Sequence, residues 1–128
     1  MRVLLDTHAF LWWVMDNDRL SNRVREIILD RNNQIFLSAA SAWELAIKVG
    51  TGKLTLPEPI EIYIPTRIAN NGFEALAIEV RHMLQVASLP AYHRDPFDRI
   101  LIAQCLVDNL TIASCDAQII RYPVQQIW

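Results

Sequence analysis

RVLLD, QIFLS, FEALAI and LTIAS are short apolar runs, and the stretches between them carry helical spacing. That alternation constrains the chain more than any other feature. Strands that alternate with helices assemble into a mainly parallel sheet with right-handed crossovers and helices on both faces. Runs this apolar suit strands buried on both sides. The expected strands cover residues 2–6, 34–38, 73–78 and 110–114, and PVQQIW at residues 123–128 adds a last edge strand. The expected fold is α/β, a three-layer α/β/α arrangement around a central sheet of four to five strands. Residues 1–128 are expected to form one domain.

The helical stretches have recognisable ends. Residues 8–16 form a short, very apolar helix, and Ser21 caps a second one, with Leu20, Val24, Ile27 and Ile28 on one face. Residues 39–50 form a helix that stops at Gly50. Pro65 is expected to break the helix over residues 60–71 or to start its second half. Residues 79–87 and 96–109 form two more, and DAQII opens a short last one.

The chain is 52% hydrophobic and 20% charged, enough apolar material for a proper core. Its longest apolar stretch, Ala9 to Met15, is too short to span a bilayer. With no leader-like N-terminus either, the expectation is a soluble cytoplasmic protein with no membrane partner. Cys105 and Cys115 have no metal-ligand spacing and are expected to be buried free thiols. A net charge of −2 argues against nonspecific nucleic-acid binding through a basic face. It does not exclude an enzyme acting on nucleic acid, because acids that hold a divalent cation present positive charge once it binds.

Parallel α/β sheets bind ligands beyond the C-terminal ends of their strands. Asp6 and Asp116 stand just past expected strand ends. Asp95 and Asp98 open the helix before the fourth strand, and Glu44 lies inside the helix after the second. Each acid also has a local explanation. Asp6 and Asp116 suit N-caps, Ser41 to Glu44 matches a capping box, and DPFD puts Asp95 at an N-cap with Asp98 in the first turn. The helix dipole favours the last two by about 0.3–1 kcal/mol each. The combination is harder to explain locally. Clustered carboxylates raise one another's pKa, and a bound cation offsets the repulsion. All-oxygen ligation suits Mg²⁺ or Mn²⁺.

VLLDTHAFLWW, SAASAWELAIKVGTGKL, LPAYHRDPFDRILIAQ and LTIASCDAQI resemble the motifs of the PIN-domain nucleases, in the family's order and along essentially the whole chain. More closely, they resemble the VapC-type toxins of toxin–antitoxin pairs. The resemblance implies a metal-dependent endoribonuclease whose acids are Asp6, Glu44, Asp98 and Asp116. Asp6, Asp98 and Asp116 are then metal ligands, with Glu44 and Asp95 as further ones. Many family members carry the helix acid directly before the apolar run, where this chain has Arg99. Thr7, Ser114, His93, Arg94 and Arg99 are candidates for supporting the acids or contacting substrate, and Arg99 is free to pair with Glu44 or Asp98. The resemblance also implies an RNA substrate, a cognate antitoxin and a homodimer, with Mg²⁺ as cofactor and Mn²⁺ as substitute. Trp12, Trp13 and Trp43 are expected mainly in the core.

Rival readings have specific weaknesses. An aspartyl phosphatase wants an acid two residues after its nucleophile, where this chain has His8. A receiver domain wants adjacent acids after the first strand and a lysine after a late one. A PIN-like binding module without catalysis has no such conflict with the residues.

Overall fold

The computed structural model describes residues 1–128. Five strands form one sheet: β1 (Arg2–Leu5), β2 (Gln34–Ser38), β3 (Glu74–Leu76), β4 (Thr111–Ala113) and β5 (Gln126–Ile127). Every pairing is parallel, and the order is β3-β2-β1-β4-β5. Six α-helices cover it: α1 (Thr7–Val14), α2 (Asn22–Leu29), α3 (Ala39–Gly50), α4 (Ile60–Asn70), α5 (Val80–Ser88) and α6 (Pro96–Asp108). No helix is long and apolar enough to cross a membrane.

The period-two alternation of the strands builds a core on each face of the sheet. Val3, Leu5, Ile35 and Leu37 pack on one side with Phe10, Val24 and Tyr63. Leu4, Phe36 and Ile112 pack on the other with Leu101, Ile102 and Cys105 of α6. Central strands buried on both faces need apolar residues at every position, which is why these runs read as continuous rather than alternating.

Chain order places β1 at the centre. The chain moves outward through β2 and β3, then returns to β1's other side through β4 and β5. The β1–β4 seam is therefore the topological switch point, where a crevice opens beyond the strand ends. Leu5 pairs with both Leu37 and Ala113, so Asp6, Ser38 and Ser114 follow side by side on the C-terminal rim.

Three expectations need correction. Pro65 does not break α4, which runs unbroken from Ile60 to Asn70. A proline removes the bond to the carbonyl four residues back. Here that carbonyl belongs to exposed Glu61, where water can serve it, and Pro65 is itself exposed. The Thr66 hydroxyl donates to the Ile62 and Tyr63 carbonyls at 2.8 and 3.0 Å, adding bonds around the gap. Cys105 is a buried free thiol as expected, but Cys115 is exposed, because β4 ends at Ala113 and the chain emerges onto the rim. In place of the short last helix opened by DAQII there is a single 3₁₀ turn at Ile119–Arg121.

Candidate active site

Asp6 sits at the seam. Its backbone N–H continues the sheet by donating to the Ala113 carbonyl at 3.1 Å. Its Oδ1 accepts from the Ala9 N–H at 2.7 Å, capping α1. The side chain is thus both a cap and a rim group, so the local explanation and the functional one hold together. Burial pushes the Asp6 carboxyl above its usual range, and the negative charge of Asp116 adds to this. The Ser114 hydroxyl, the Ala9 N–H and the charge of His8 work the other way.

Ser38 is the N-cap of α3, so Glu44 lies inside that helix and Ser41–Glu44 is not a capping box. Glu44 is half-buried and partnered. The Thr7 hydroxyl lies 2.7 Å from its Oε1 and 3.0 Å from the Ser41 hydroxyl. Lys48 Nζ lies 3.4 Å from its other oxygen, one helical turn on. Thr7 therefore joins the residue after Asp6 to Glu44 and holds α1 and α3 in register.

Asp95 caps α6 as its sequence suggests, accepting from the Phe97 and Asp98 N–H groups at 2.9 and 3.2 Å. Asp98 turns inward. Burial is the main cause that pushes its carboxyl up to about 8, and the charges of Asp95, Asp116, Asp6 and Glu44 follow in that order. Those contributions place the other four acids within electrostatic reach of Asp98. Asp116 Oδ1 accepts from the Gln118 N–H at 2.8 Å, and its own N–H donates to Ser114 Oγ at 3.1 Å.

His93 is not a solvent-facing loop histidine. Its Nε2 lies 3.2 Å from Asp98 Oδ2, and its Nδ1 lies 2.8 Å from the Tyr122 hydroxyl. Arg99 pairs with neither Glu44 nor Asp98. Its guanidinium donates to the Tyr122 hydroxyl at 3.0 Å and to the Pro90 carbonyl at 2.7 Å. Arg99 projects from α6 toward residues 86–90, so its fork ties down the end of α5 and the connector. Because Tyr122 accepts from Arg99, its own proton is available to His93 Nδ1. The proton on Nε2 then faces Asp98. Arg94 is exposed.

Tyr122, Lys48, Ser41 and Gln126 all support the site, and sequence reasoning passed over them. Gln126 Nε2 donates to the Ser114 and Asp116 carbonyls at 2.8 and 3.1 Å, bracing the turn that carries Asp116. Lys48 had a readable signal, its i,i+4 spacing from Glu44. Tyr122 and Gln126 reach the rim only through tertiary folding and had none. Trp43 departs from the core expectation. It is 54% exposed and stands edge-on to Phe97, with ring centres 5.0 Å apart.

No three acidic, histidine or cysteine side chains converge closely enough to make a ready coordination shell. The acids share a field without sharing a point. That arrangement fits a hard cation that retains several waters and takes one or two carboxylates directly, as Mg²⁺ does. The donors are all carboxylate oxygens; burial is the main reason the Asp6 and Asp98 carboxyls are raised, neighbouring acids add to it, and a bound cation offsets both.

The PIN domain family model matches residues 3–125. The chain belongs to the PIN-domain family. This PIN domain is 46% identical over 61 residues to Ribonuclease VapC16 of Mycobacterium tuberculosis. The match covers 48% of this chain and 43% of that relative, less than half of either. Solved structures share its fold throughout. VapBC2 from Rickettsia felis, bound to a promoter DNA fragment, contains a chain that superposes with a TM-score of 0.76 at 16% identity. That match covers 100% of this chain and 99% of the other. DNA-bound VapBC from Salmonella typhimurium contains one with a TM-score of 0.73 at 15% identity, covering 99% and 97%.

Proposed function

We propose that this PIN domain is a metal-dependent endoribonuclease and the toxin of a toxin–antitoxin pair. One observation carries the reading: Asp6, Glu44, Asp98 and Asp116 come from four distant segments to one rim, where Asp98 responds to the charges of the others. The similarity to a protein named ribonuclease, and to chains of VapBC complexes, supports the reaction and the antitoxin partner. A homodimer is part of the same proposal, by family resemblance.

Asp6, Asp98 and Asp116 would hold Mg²⁺, with Mn²⁺ able to substitute. When bound, the ion supplies Lewis-acid polarisation of the scissile phosphate and lowers the pKa of water. Glu44, held by Thr7 and Lys48, orients the attacking water or completes the ligation. Asp95 keeps α6 capped so that Asp98 faces the rim. Arg94 is free to contact substrate phosphate. No nucleophilic side chain is required, since a water activated by the ion would serve as the nucleophile. In-line attack of water would leave a 5′-phosphate and a 3′-hydroxyl.

A binding module without catalysis is the second reading, favoured by the lack of three convergent ligands. Incubation of the purified chain with cellular RNA and Mg²⁺ or Mn²⁺, followed by mapping of new 5′ ends, separates the two. New 5′-phosphates that vanish in Asp6→Asn support the nuclease. Metal binding without cleavage of any RNA supports the module.

A further inference from the structure

Beside Glu44 runs a groove of about 490 Å³ that the acids themselves do not fill. We propose that it seats the strand flanking the scissile phosphate of a single-stranded RNA, with Lys53 and Arg94 gripping phosphates and Trp43 stacking a base. The proposal rests on the nuclease reading and adds to it the residues outside the acidic cluster that grip the substrate.

The groove lies between two walls. One is the last turn of α3 and the turn that follows, carrying Lys48 and Lys53. The other is the entry to α6, carrying Arg94 and Phe97. Glu44 and Asp95 belong to the same lining, so the groove borders the acidic rim at these two residues. The positions of the cations are built in. Gly52 adopts φ +76°, a left-handed conformation that suits glycine, and turns the chain back on itself. The Lys53 N–H then donates to the Lys48 carbonyl at 2.9 Å, which sets the two lysines side by side. Across the groove, Arg94 immediately precedes the Asp95 cap that fixes the start of α6.

The charges are unspent. Lys48 is paired with Glu44, but neither Lys53 nor Arg94 pairs with any acid. Two unpaired cations on opposite walls beside an acidic site, in a chain of net charge −2, suit a polyanion. Trp43 adds a feature that a simple charge patch lacks. A large aromatic left 54% exposed and set edge-on against Phe97, which does line the groove, offers a flat face to an unstacked base. Stacking of this kind needs a single strand, because a duplex keeps its bases stacked on one another.

The test compares Lys53→Glu/Arg94→Glu with Arg23→Glu/Arg31→Glu. The second pair changes net charge equally, at exposed positions in and just after α2. The readout is KM for a fluorogenic, randomised single-stranded RNA about ten nucleotides long, measured across a salt series and alongside Mn²⁺ binding by calorimetry. The groove pair should raise KM roughly tenfold over the control pair. Its salt slope should fall by about 1.4, the loss of two single-strand phosphate contacts. Mn²⁺ affinity should not move. Trp43→Ala should raise KM by about tenfold, and Trp43→Phe should restore most of the loss.

Equal effects from the two charge reversals, an unchanged KM in Trp43→Ala, or a parallel loss of Mn²⁺ binding would each overturn the groove assignment while the nuclease reading stands. Failure of the parent chain to cleave any RNA would overturn both.

Discussion

His93 joins Asp98 to Tyr122: one ring nitrogen lies 3.2 Å from the carboxylate and the other 2.8 Å from the hydroxyl. The two residues it links are 24 positions apart in the chain. Arg99 donates to the same hydroxyl and fixes its orientation. Asp98 thus has its aim set from outside its own helix, much as supporting hydrogen bonds orient ligands in metal sites.

Removing that support should weaken metal binding without unfolding the protein. Tyr122→Phe keeps the ring in its buried position and deletes only the hydroxyl. Mn²⁺ affinity should fall roughly tenfold in Tyr122→Phe and in His93→Gln. Calorimetric titration checks both, and unchanged affinity in the two variants would remove His93 from the site.

Asp98 also sets a pH dependence. Its carboxyl is raised from an unfolded value near 3.8 to about 8 in the fold. The fold therefore binds this proton more tightly than the unfolded chain does. Its stabilising contribution is complete below pH 4 and is lost as pH rises through 8. In chelator, stability should decline over that window, by at most about 1.4 kcal/mol per pH unit for this one group. Asp98→Asn should flatten the decline, and Mg²⁺ should offset it. Urea titrations at several pH values measure the slope, and a slope unaltered in Asp98→Asn would contradict the assignment.

Asp6→Asn should separate activity from stability. Asparagine also serves well as an N-cap, so α1 keeps its start. Without metal, loss of a buried charge should leave the melting temperature equal to the parent's or higher. Cleavage should drop by about a hundredfold or more. Thermal melts and RNA assays on the same sample check the two halves.

Gln104 tests the scaffold rather than the chemistry. It is fully buried in α6, accepts from the Ser38 hydroxyl at 2.6 Å and donates to the Ala77 carbonyl at 3.2 Å. Gln104→Leu strands the buried Ser38 hydroxyl in the core, while the exposed Ala77 carbonyl can turn to water. It should cost about 2–3 kcal/mol in urea unfolding, with KM for RNA little changed.

How much of this was legible depended on the range of the cause. The β2 and α3 boundaries follow local rules of apolar run, serine cap and terminal glycine, and the sequence reading matches them residue for residue. Asp6 and Asp116 were readable because parallel strands deliver their C-terminal neighbours to one rim. The partners of Arg99 were not. They depend on which way α6 faces the connector from α5, and no spacing in the chain encodes that. Tyr122 and Gln126 come from the closing segment, whose placement is set by β5 joining β4. Pro65 misled because the helix penalty for proline depends on whether the orphaned carbonyl meets water, a question of orientation rather than composition.

Asp6 hangs from the central strand, laced on both sides to its neighbours, while Asp98 is steered by a histidine that rides on a loop. The two halves of the rim should therefore breathe on different clocks. Amide exchange near Asp6 would wait for opening of the sheet itself, whereas the His93 segment, held by side-chain bonds from Arg99, Arg121 and Tyr122, should open at lower cost. Such a division leaves both acids on well-packed elements and puts the softest part of the site in the loop that aims Asp98.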